Sequence, residues 1–246
     1  MRNRQGSVQK RILFSVFAGV ACLFFFTCGI PVYYVIEPPV AEHIPTSDSV
    51  DASGRYFGFT CPYSESSENS DFSLLGTGIY YRIYDSQQAM ESDISAINSR
   101  NAEYSENGFL KMKELNYQQL NSTPRKIPVV QRVTSTRSYQ LWLCDEAKEA
   151  GLYDVTNGAN TKISVPVRSG TYSSSNSNPG FQFTSNSHPE SGDQDTQISN
   201  QTSNSSTNSN EWYVNLYAVS IGREANLSQH YSSLLHLGNL KITYNE

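Results

Sequence analysis

Residues 78–84 read GIYYRIY, and their alternation is the clearest structural signal in the chain. The odd-numbered residues Ile79, Tyr81 and Ile83 would fall on one side of an extended segment. A period of two predicts a β-strand with one face buried against a core. The fold is therefore expected to depend on sheets that are covered on at least one side.

The same alternation recurs along the chain between polar turns. EWYVNLYAVSIG (211–222) is the longest example, and the other segments that predict strands are FGFT (57–60), IPVVQRVT (127–134), YQLWLCD (139–145), KISVPVRS (162–169), FQFTS (181–185) and NLKITYNE (239–246). The short link STRS between the segments 127–134 and 139–145 suggests that these two form a hairpin. Pro166 predicts an edge position for its strand. Many short strands predict a mainly β fold, which we interpret as a sandwich.

One segment breaks this pattern with helical spacing. Residues 85–100, DSQQAMESDISAINSR, begin with Asp85 as a candidate N-cap. The apolar residues at helical spacing are Met90, Ile94 and Ile97. LKMKELNYQQLN (110–121) extends the pattern. We predict a helical insertion over about 85–121 that covers part of the sandwich.

Residues 171–210 form a low-complexity tract. Ser, Asn and Thr supply 24 of its 40 positions. Such a composition buries too little apolar surface to offset the entropy of ordering the chain. The tract is therefore predicted to be a long loop that is mostly disordered.

The N-terminus has the layout of an export signal. Residues 1–11 are basic, residues 12–26 are apolar, and Cys28 follows the sequence FFT, a loose lipobox. Cleavage before Cys28 would make residues 1–27 a signal peptide and Cys28 the acylated residue, with palmitate as the expected label. The alternative is an uncleaved anchor over 12–36, which would be about 37 Å long as a helix and could span a membrane.

Three short motifs resemble those of spirochaete envelope lipoproteins. They are CGIP (28–31), the pair Pro38-Pro39, and GIYYRIY (78–84). The resemblance implies a fibronectin-like or immunoglobulin-like sandwich in a protein of unknown activity, held in the bacterial cell envelope by lipid. Under this interpretation residues 28–45 are the lipidated N-terminus with a first strand or tether, and residues 46–246 are the sandwich domain. The sequence does not decide between the inner and the outer membrane.

Charge argues against one class of partner. The formal net charge of the chain is −5, and removal of the basic head would make the remainder more acidic. A protein with this charge and without a basic stripe is not expected to hold nucleic acid through phosphate contacts. Membrane lipid at the anchor and an unknown protein or glycan are the expected partners.

Two cysteines remain beyond the N-terminal region. Cys61 and Cys144 could pair as a disulfide in an oxidising compartment, or both could be buried as separate thiols. The spacing contains no CxxC or Cys/His pattern of a zinc site. No metal and no cofactor are predicted.

No catalytic motif stands out. The sequence lacks a GxSxG elbow, and no catalytic residue is assigned. An envelope hydrolase with a site assembled from distant residues remains the alternative, and its candidates are Glu211, Glu224, His230 and His236. This alternative requires at least one of these residues to share a site with another acid, base or nucleophile.

Tyrosine is the one abundant residue with recognition chemistry. Tyr80, Tyr84, Tyr213 and Tyr217 occupy the polar-side registers of two strands that a fibronectin-like topology would place side by side. Such a row suits protein or carbohydrate contact. Alternatively the row forms cross-strand pairs, or the helical insertion covers it. The sequence thus indicates a lipid-anchored binding or structural protein.

Overall fold

The computed structural model describes most of the chain beyond its N-terminus. The described residues are 35–45, 52–63, 68–69, 71–144, 147–170, 180–184, 187–199 and 210–243. All of them belong to one compact unit. The predicted signal peptide and Cys28 lie outside these residues. Within this part of the chain no helix has the length and apolar character needed to cross a membrane.

The protein is mainly β. In chain order the strands are β1 (Val40–His43), β2 (Phe57–Cys61), β3 (Glu68–Asn69), β4 (Phe72–Tyr84), β5 (Gln118–Gln119), β6 (Asn121–Thr123), β7 (Val130–Gln131), β8 (Arg137–Trp142), β9 (Gly151–Asp154), β10 (Thr161–Val167), β11 (Thr196–Gln197), β12 (Glu211–Glu224), β13 (Gln229–Tyr231) and β14 (Leu235–Thr243). The first strand begins after the Pro38-Pro39 pair, because neither proline can donate a ladder hydrogen bond.

These strands form two sheets. The first has the order β1-β2-β8-β9-β10-β6. The second is built on β4 and β12, which pair antiparallel from Tyr84 opposite Tyr213 to Phe72 opposite Glu224. β13 and β14 pair with β12, and the short strands β3, β5, β7 and β11 pair with β4. Among these pairs only β4 with β11 is parallel. The predicted sandwich with a helical insertion is confirmed.

Two helices follow β4 directly. They are α1 (Gln87–Glu103) and α2 (Ser105–Glu114). The side chain that caps α1 is Ser86, whose Oγ accepts a hydrogen bond from the backbone N–H of Ala89 at 3.3 Å. The predicted cap at Asp85 is therefore wrong by one residue. The Asp85 carboxylate instead accepts a hydrogen bond from the backbone N–H of Ser199 at 2.9 Å.

The second sheet is buried on both faces, which makes two core layers. The layer between the sheets contains Phe57, Phe59, Ile79, Tyr81, Ile83, Leu141, Val214, Leu216 and Leu240, among others. The layer between the second sheet and the helices contains Tyr80, Tyr84, Met90, Ile97, Phe109, Met112, Tyr117, Tyr217 and Val219, among others. Successive residues of β4 and β12 alternate between these layers, as the period-two pattern requires.

Two predictions about strand pairing are wrong. β7 and β8 do not form a hairpin, because β7 pairs with β4 in the second sheet and β8 pairs with β2 and β9 in the first. Val129, Val130 and Val133 fill the inter-sheet core at the crossing. β10 is not an edge strand, because the three residues of β6 pair with it and take the edge position. Local alternation predicts a strand but does not specify its neighbours.

Part of the 171–210 tract, which was predicted to be mostly disordered, is ordered. β11 lies in the described segment 187–199, and Asp193 and Asp195 of this segment are buried. Residues 171–179, 185–186 and 200–209 lie outside the described part. Residues 187–199 are therefore an ordered part of this tract.

A buried ion pair holds this segment against the sandwich. Arg168 Nε and Nη2 donate to the two carboxylate oxygens of Asp195 at 2.9 and 2.7 Å, and Nη2 also donates to Asp193 at 2.9 Å. Tyr81 donates to Asp195 Oδ2 at 2.6 Å. Burial by itself lowers the pKa of Arg168, but the hydrogen bonds and charge of Asp195 outweigh it and raise that pKa. Charge pairing thus supplies the stability that the tract's polar composition lacks.

Candidate functional site

The four tyrosines predicted as a binding surface do lie side by side. Tyr84 is opposite Tyr213 and Tyr80 is opposite Tyr217 in the pairing of β4 with β12. Tyr84 and Tyr217 are fully buried, Tyr80 is 5% exposed and Tyr213 is partly buried. The prediction of an exposed binding surface is therefore wrong, and the alternative of a face covered by helices describes the protein. The tyrosine rings supply the large apolar faces of this second core layer.

Polar groups under the helices form a buried chain of hydrogen bonds. Tyr84 Oη lies 3.0 Å from Asp93 Oδ2 and 2.9 Å from Tyr117 Oη. Asn215 Nδ2 donates to Tyr117 Oη at 2.7 Å, and Asn215 Oδ1 lies 2.7 Å from His236 Nε2. The chain connects α1, β4, the segment after α2, β12 and β14. It therefore fixes the helical insertion to the sheet.

The chemistry of these groups sets the direction of each hydrogen bond. Asp93 also pairs with Arg82 at 3.2 Å and acts as an acceptor, so the single hydroxyl proton of Tyr84 is donated to Asp93. Tyr117 then donates to Tyr84. The Asn215 oxygen can only accept, so His236 donates from Nε2. Every hydroxyl and amide in the chain is satisfied in this arrangement.

Burial keeps the two tyrosines and the histidine of this hydrogen-bond chain neutral at pH 7. It raises the pKa of Tyr117 to about 12 and that of Tyr84 beyond any ordinary range. It lowers the pKa of His236 to about 4. Neutral groups with satisfied hydrogen bonds stabilise a fold rather than transfer protons. We therefore interpret this chain of hydrogen bonds as a structural element that stabilises the fold, and not as a catalytic site.

A cavity of about 310 Å³ lies at one end of the tyrosine row, and we call it the Tyr80 cavity. Its walls come from β4, β5, β7, β12, β13 and the segment between β6 and β7. The lining residues are Leu75, Tyr80, Gln119, Ile127, Pro128, Gln131, Ile221, Arg223 and Gln229. This volume is near the lower end of the roughly 300–1,000 Å³ typical of small-molecule sites.

Gly78, the first residue of GIYYRIY, has no side chain, and three of the lining side chains approach its backbone closely. A Cβ atom on Gly78 would lie 2.9 Å from Ile221 Cδ1 and 3.5 Å from Gln119 Nε2. The same atom would lie 3.1 Å from Tyr80 Cε2. The three lining side chains therefore converge on the bare backbone of Gly78, and a larger residue there would push into them.

Two lining residues are already held by neighbours. Gln131 Nε2 donates to the Pro128 carbonyl at 2.5 Å, and Gln229 Oε1 accepts a hydrogen bond from the Tyr231 hydroxyl at 2.8 Å. The Tyr80 hydroxyl, the Gln119 amide and the Arg223 guanidinium make no side-chain hydrogen bond or ion pair with the described residues. Tyr80 is 5% exposed and lines the cavity. The cavity thus collects polar groups that lack partners.

A second cavity, of about 260 Å³, lies on the helices and has a different character. Its lining includes Arg100, Lys111 and Glu114. Arg100 pairs with Glu103 and Lys111 pairs with Glu114, each at 2.9 Å. Because its charges are already paired, this cavity offers less to a ligand than the Tyr80 cavity does.

The candidates for the hydrolase alternative separate into three places. Glu211 pairs with Lys241 at 2.6 Å, and His236 belongs to the buried chain. His230 lies between two carboxylates, with Nε2 at 2.7 Å from Glu224 and Nδ1 at 3.2 Å from Glu106. His230 therefore contacts two acids. Neither it nor the two glutamates line the Tyr80 cavity.

Cys61 and Cys144 are buried as separate thiols and are not joined by a disulfide. Cys144 Sγ donates to the Phe181 carbonyl at 3.3 Å. Burial raises the pKa of the Cys61 thiol to about 12, in spite of a hydrogen bond with Thr77. Such thiols are poor nucleophiles at neutral pH, because the thiolate is the reactive form.

The cavity residues were not found by sequence reasoning, apart from Tyr80. Gln119 and Arg223 lie far apart in the chain and only the fold brings them to one site. Asn215 could have been found, since it is the one amide within the apolar strand β12. In the described part of the chain, no group of three or more His, Cys, Asp or Glu residues is arranged to hold a metal ion.

Comparisons of the chain with protein-family models, curated proteins and solved structures gave no match.

Proposed function

We propose that this chain is a lipid-anchored protein of the bacterial cell envelope, acylated at Cys28, which binds a ligand in the Tyr80 cavity and catalyses no reaction. The observation that carries the binding role is the convergence of Tyr80, Gln119 and Arg223 on one cavity without partners among the described residues. The anchor rests on the signal-like N-terminus and the CGIP motif at Cys28.

The lining chemistry supports binding over catalysis. Around the Tyr80 cavity the lining supplies three amides, one phenol, one guanidinium and aliphatic walls. Burial raises the pKa of Tyr80 far above neutral, and arginine stays protonated, so neither group exchanges protons at pH 7. Such groups orient a ligand by hydrogen bonds and charge.

Acylation tests the anchor directly. The full chain and its C28S variant would be expressed in a bacterial host and labelled with palmitate, with C22S as the matched control at the other N-terminal cysteine. We expect C28S alone to lose the label and to keep the higher mass of the unprocessed chain. A chain of unchanged size that carries no label in any version would instead support the uncleaved anchor over 12–36. Two or more acyl chains are needed for stable attachment.

An envelope hydrolase is the second candidate, and His230 is the observation that favours it. An imidazole between Glu106 and Glu224 is a chemically reasonable acid–base group. The test is release of fragments from purified cell-wall glycan and peptide by the full chain and by H230Q. Release by the wild type that H230Q abolishes would support the hydrolase and contradict the non-catalytic role.

A further inference from the structure

The Tyr80 cavity carries one cation and no acid in its lining. Arg223 lies in β12 and is exposed, and the described residues provide no ion pair for it. The carboxylates nearest in sequence and on the adjoining elements have other partners. Glu224 contacts His230 Nε2 at 2.7 Å and accepts from Asn226 at 2.9 Å, while Glu106 contacts His230 and accepts from the backbone N–H of Tyr231. The cavity is therefore positive within a chain of net charge −5.

The rest of the lining selects among anions. Leu75, Ile127, Pro128 and Ile221 give the cavity an aliphatic side, and Ile127 is 53% exposed at its rim. A strongly hydrated anion gains nothing from such walls, whereas an aliphatic side chain is favoured there. A single guanidinium matches one carboxylate in charge and in its two-pronged donor geometry.

The neutral polar groups suit an amide. The Gln119 side chain can both donate and accept, and Tyr80 adds a hydroxyl that does the same. A peptide unit presents one donor and one acceptor to such a pair. The volume of about 310 Å³ limits the enclosed part to a small group rather than a folded domain.

We infer that the Tyr80 cavity binds a short peptide by its C-terminal end, with the terminal carboxylate on Arg223, an aliphatic last side chain against Ile127 and Ile221, and the preceding amide on Gln119 and Tyr80. This assignment rests on the binding role proposed above and names its ligand class. In this assignment Arg223 discriminates between a charged and a neutral C-terminus of the peptide, and Tyr80 positions the preceding amide.

The test is calorimetric titration of the full chain in detergent with three probes. They are acetyl-alanyl-leucine as the free acid, the same dipeptide with a C-terminal amide, and inorganic phosphate. Arg223 is exposed, and an exposed ion pair is worth up to about 1 kcal/mol, so we expect the acid to bind roughly two- to fivefold more tightly than the amide. Phosphate should bind more weakly than the acid.

Two variants and one control complete the test. R223Q should bring the acid and the amide to similar affinity, and Y80F should weaken both to a similar extent. R100Q, at an exposed arginine of α1, should leave the acid preference intact, and each variant should keep the melting temperature of a folded protein. Equal binding of acid and amide with no effect of R223Q would overturn the carboxylate assignment while leaving ligand binding in the cavity in place. Preferred binding of phosphate, or no binding by any probe, would also overturn it, and palmitate labelling at Cys28 would still decide the anchor separately.

Discussion

The hydroxyl oxygens of Tyr84 and Tyr117 lie 2.9 Å apart in the layer between sheet and helices. Tyr84 belongs to β4, and Tyr117 follows α2 just before β5. Their contact is the point at which the helical insertion becomes part of the sheet's hydrogen-bond network. Because Tyr80 and Gln119 come from the same strand and the same returning segment, this contact also sets the position of the Tyr80 cavity.

Removal of the Tyr117 hydroxyl should therefore destabilise the fold. In Tyr117→Phe the buried amide of Asn215 loses its acceptor and the Tyr84 oxygen loses a donor. An unsatisfied buried polar group costs about 1–3 kcal/mol, and we expect a decrease of that size in the free energy of unfolding, measured in urea. Tyr104→Phe is the matched control, since Tyr104 is 57% exposed. Equal stability of the two variants would contradict the stabilising role of the buried hydrogen-bond chain.

The Arg168 cluster allows a test of how the 187–199 segment is held. Arg168→Met leaves the buried carboxylates of Asp193 and Asp195 without their cation, and broken buried pairs cost about 3–5 kcal/mol. We expect a loss of this order at pH 7 and faster proteolytic cleavage within 187–199.

The control for Arg168→Met is Arg137→Met. Arg137 pairs with Asp154 at 2.7 Å, but its side chain is 41% exposed, so solvent screens the pair and little stability should be lost. If both arginine variants behave alike, burial is not what makes the Arg168 cluster strong.

The sequence allowed the elements to be predicted better than their environment. GIYYRIY and EWYVNLYAVSIG alternate strictly, so both strands and the helical segment between 85 and 121 could be predicted from local periodicity. The burial of the tyrosine row under the two helices could not be predicted in this way, because a tyrosine ring suits a solvent-facing surface and a core equally well. Only the contacts of Phe109 and Met112 with that row decide the matter.

The Tyr80 cavity could not be predicted from local sequence patterns either, for a related reason. Tyr80 and Arg223 are separated by most of the sandwich in sequence, and the pairing of β4 with β12 and of β12 with β13 brings their neighbourhoods together. Composition also misled in the low-complexity tract, because two buried aspartates on one arginine outweigh the polar residues around them. Such long-range charge pairing has no periodic signature.

Thiol reactivity offers a third prediction. Cys61 and Cys144 are buried and are not joined by a disulfide, and burial raises the pKa of Cys61 to about 12. In the native protein at pH 8 we expect iodoacetamide to leave both unmodified, and in urea both should react, as read by mass spectrometry of their peptides. Reactivity that reaches completion only after a reductant is added would reveal a disulfide and contradict the separate thiols.

The fourth prediction concerns acid stability and His236. Burial lowers its pKa to about 4 in the folded protein, against an ordinary value of 6.5 in the unfolded chain. The unfolded state therefore binds more protons between these values, and the folded state loses stability as pH falls from 6.5 towards 4. The difference of about 2.5 between the two pKa values corresponds to at most about 3 kcal/mol. Above pH 6.5 the contribution of this histidine is complete.

His236→Gln isolates this contribution from that of the carboxyl groups. The amide of glutamine can reach the position of Nε2 and still donate to Asn215 Oδ1, but it does not titrate. We expect the variant to lose less free energy of unfolding than the wild type between pH 7 and pH 4.5, both measured in urea. His43→Gln is the control, because His43 lies on β1 and is only partly buried. Identical pH profiles for the wild type and His236→Gln would mean that His236 takes up a proton equally readily in the folded and unfolded states, which would contradict its burial as a neutral donor to Asn215.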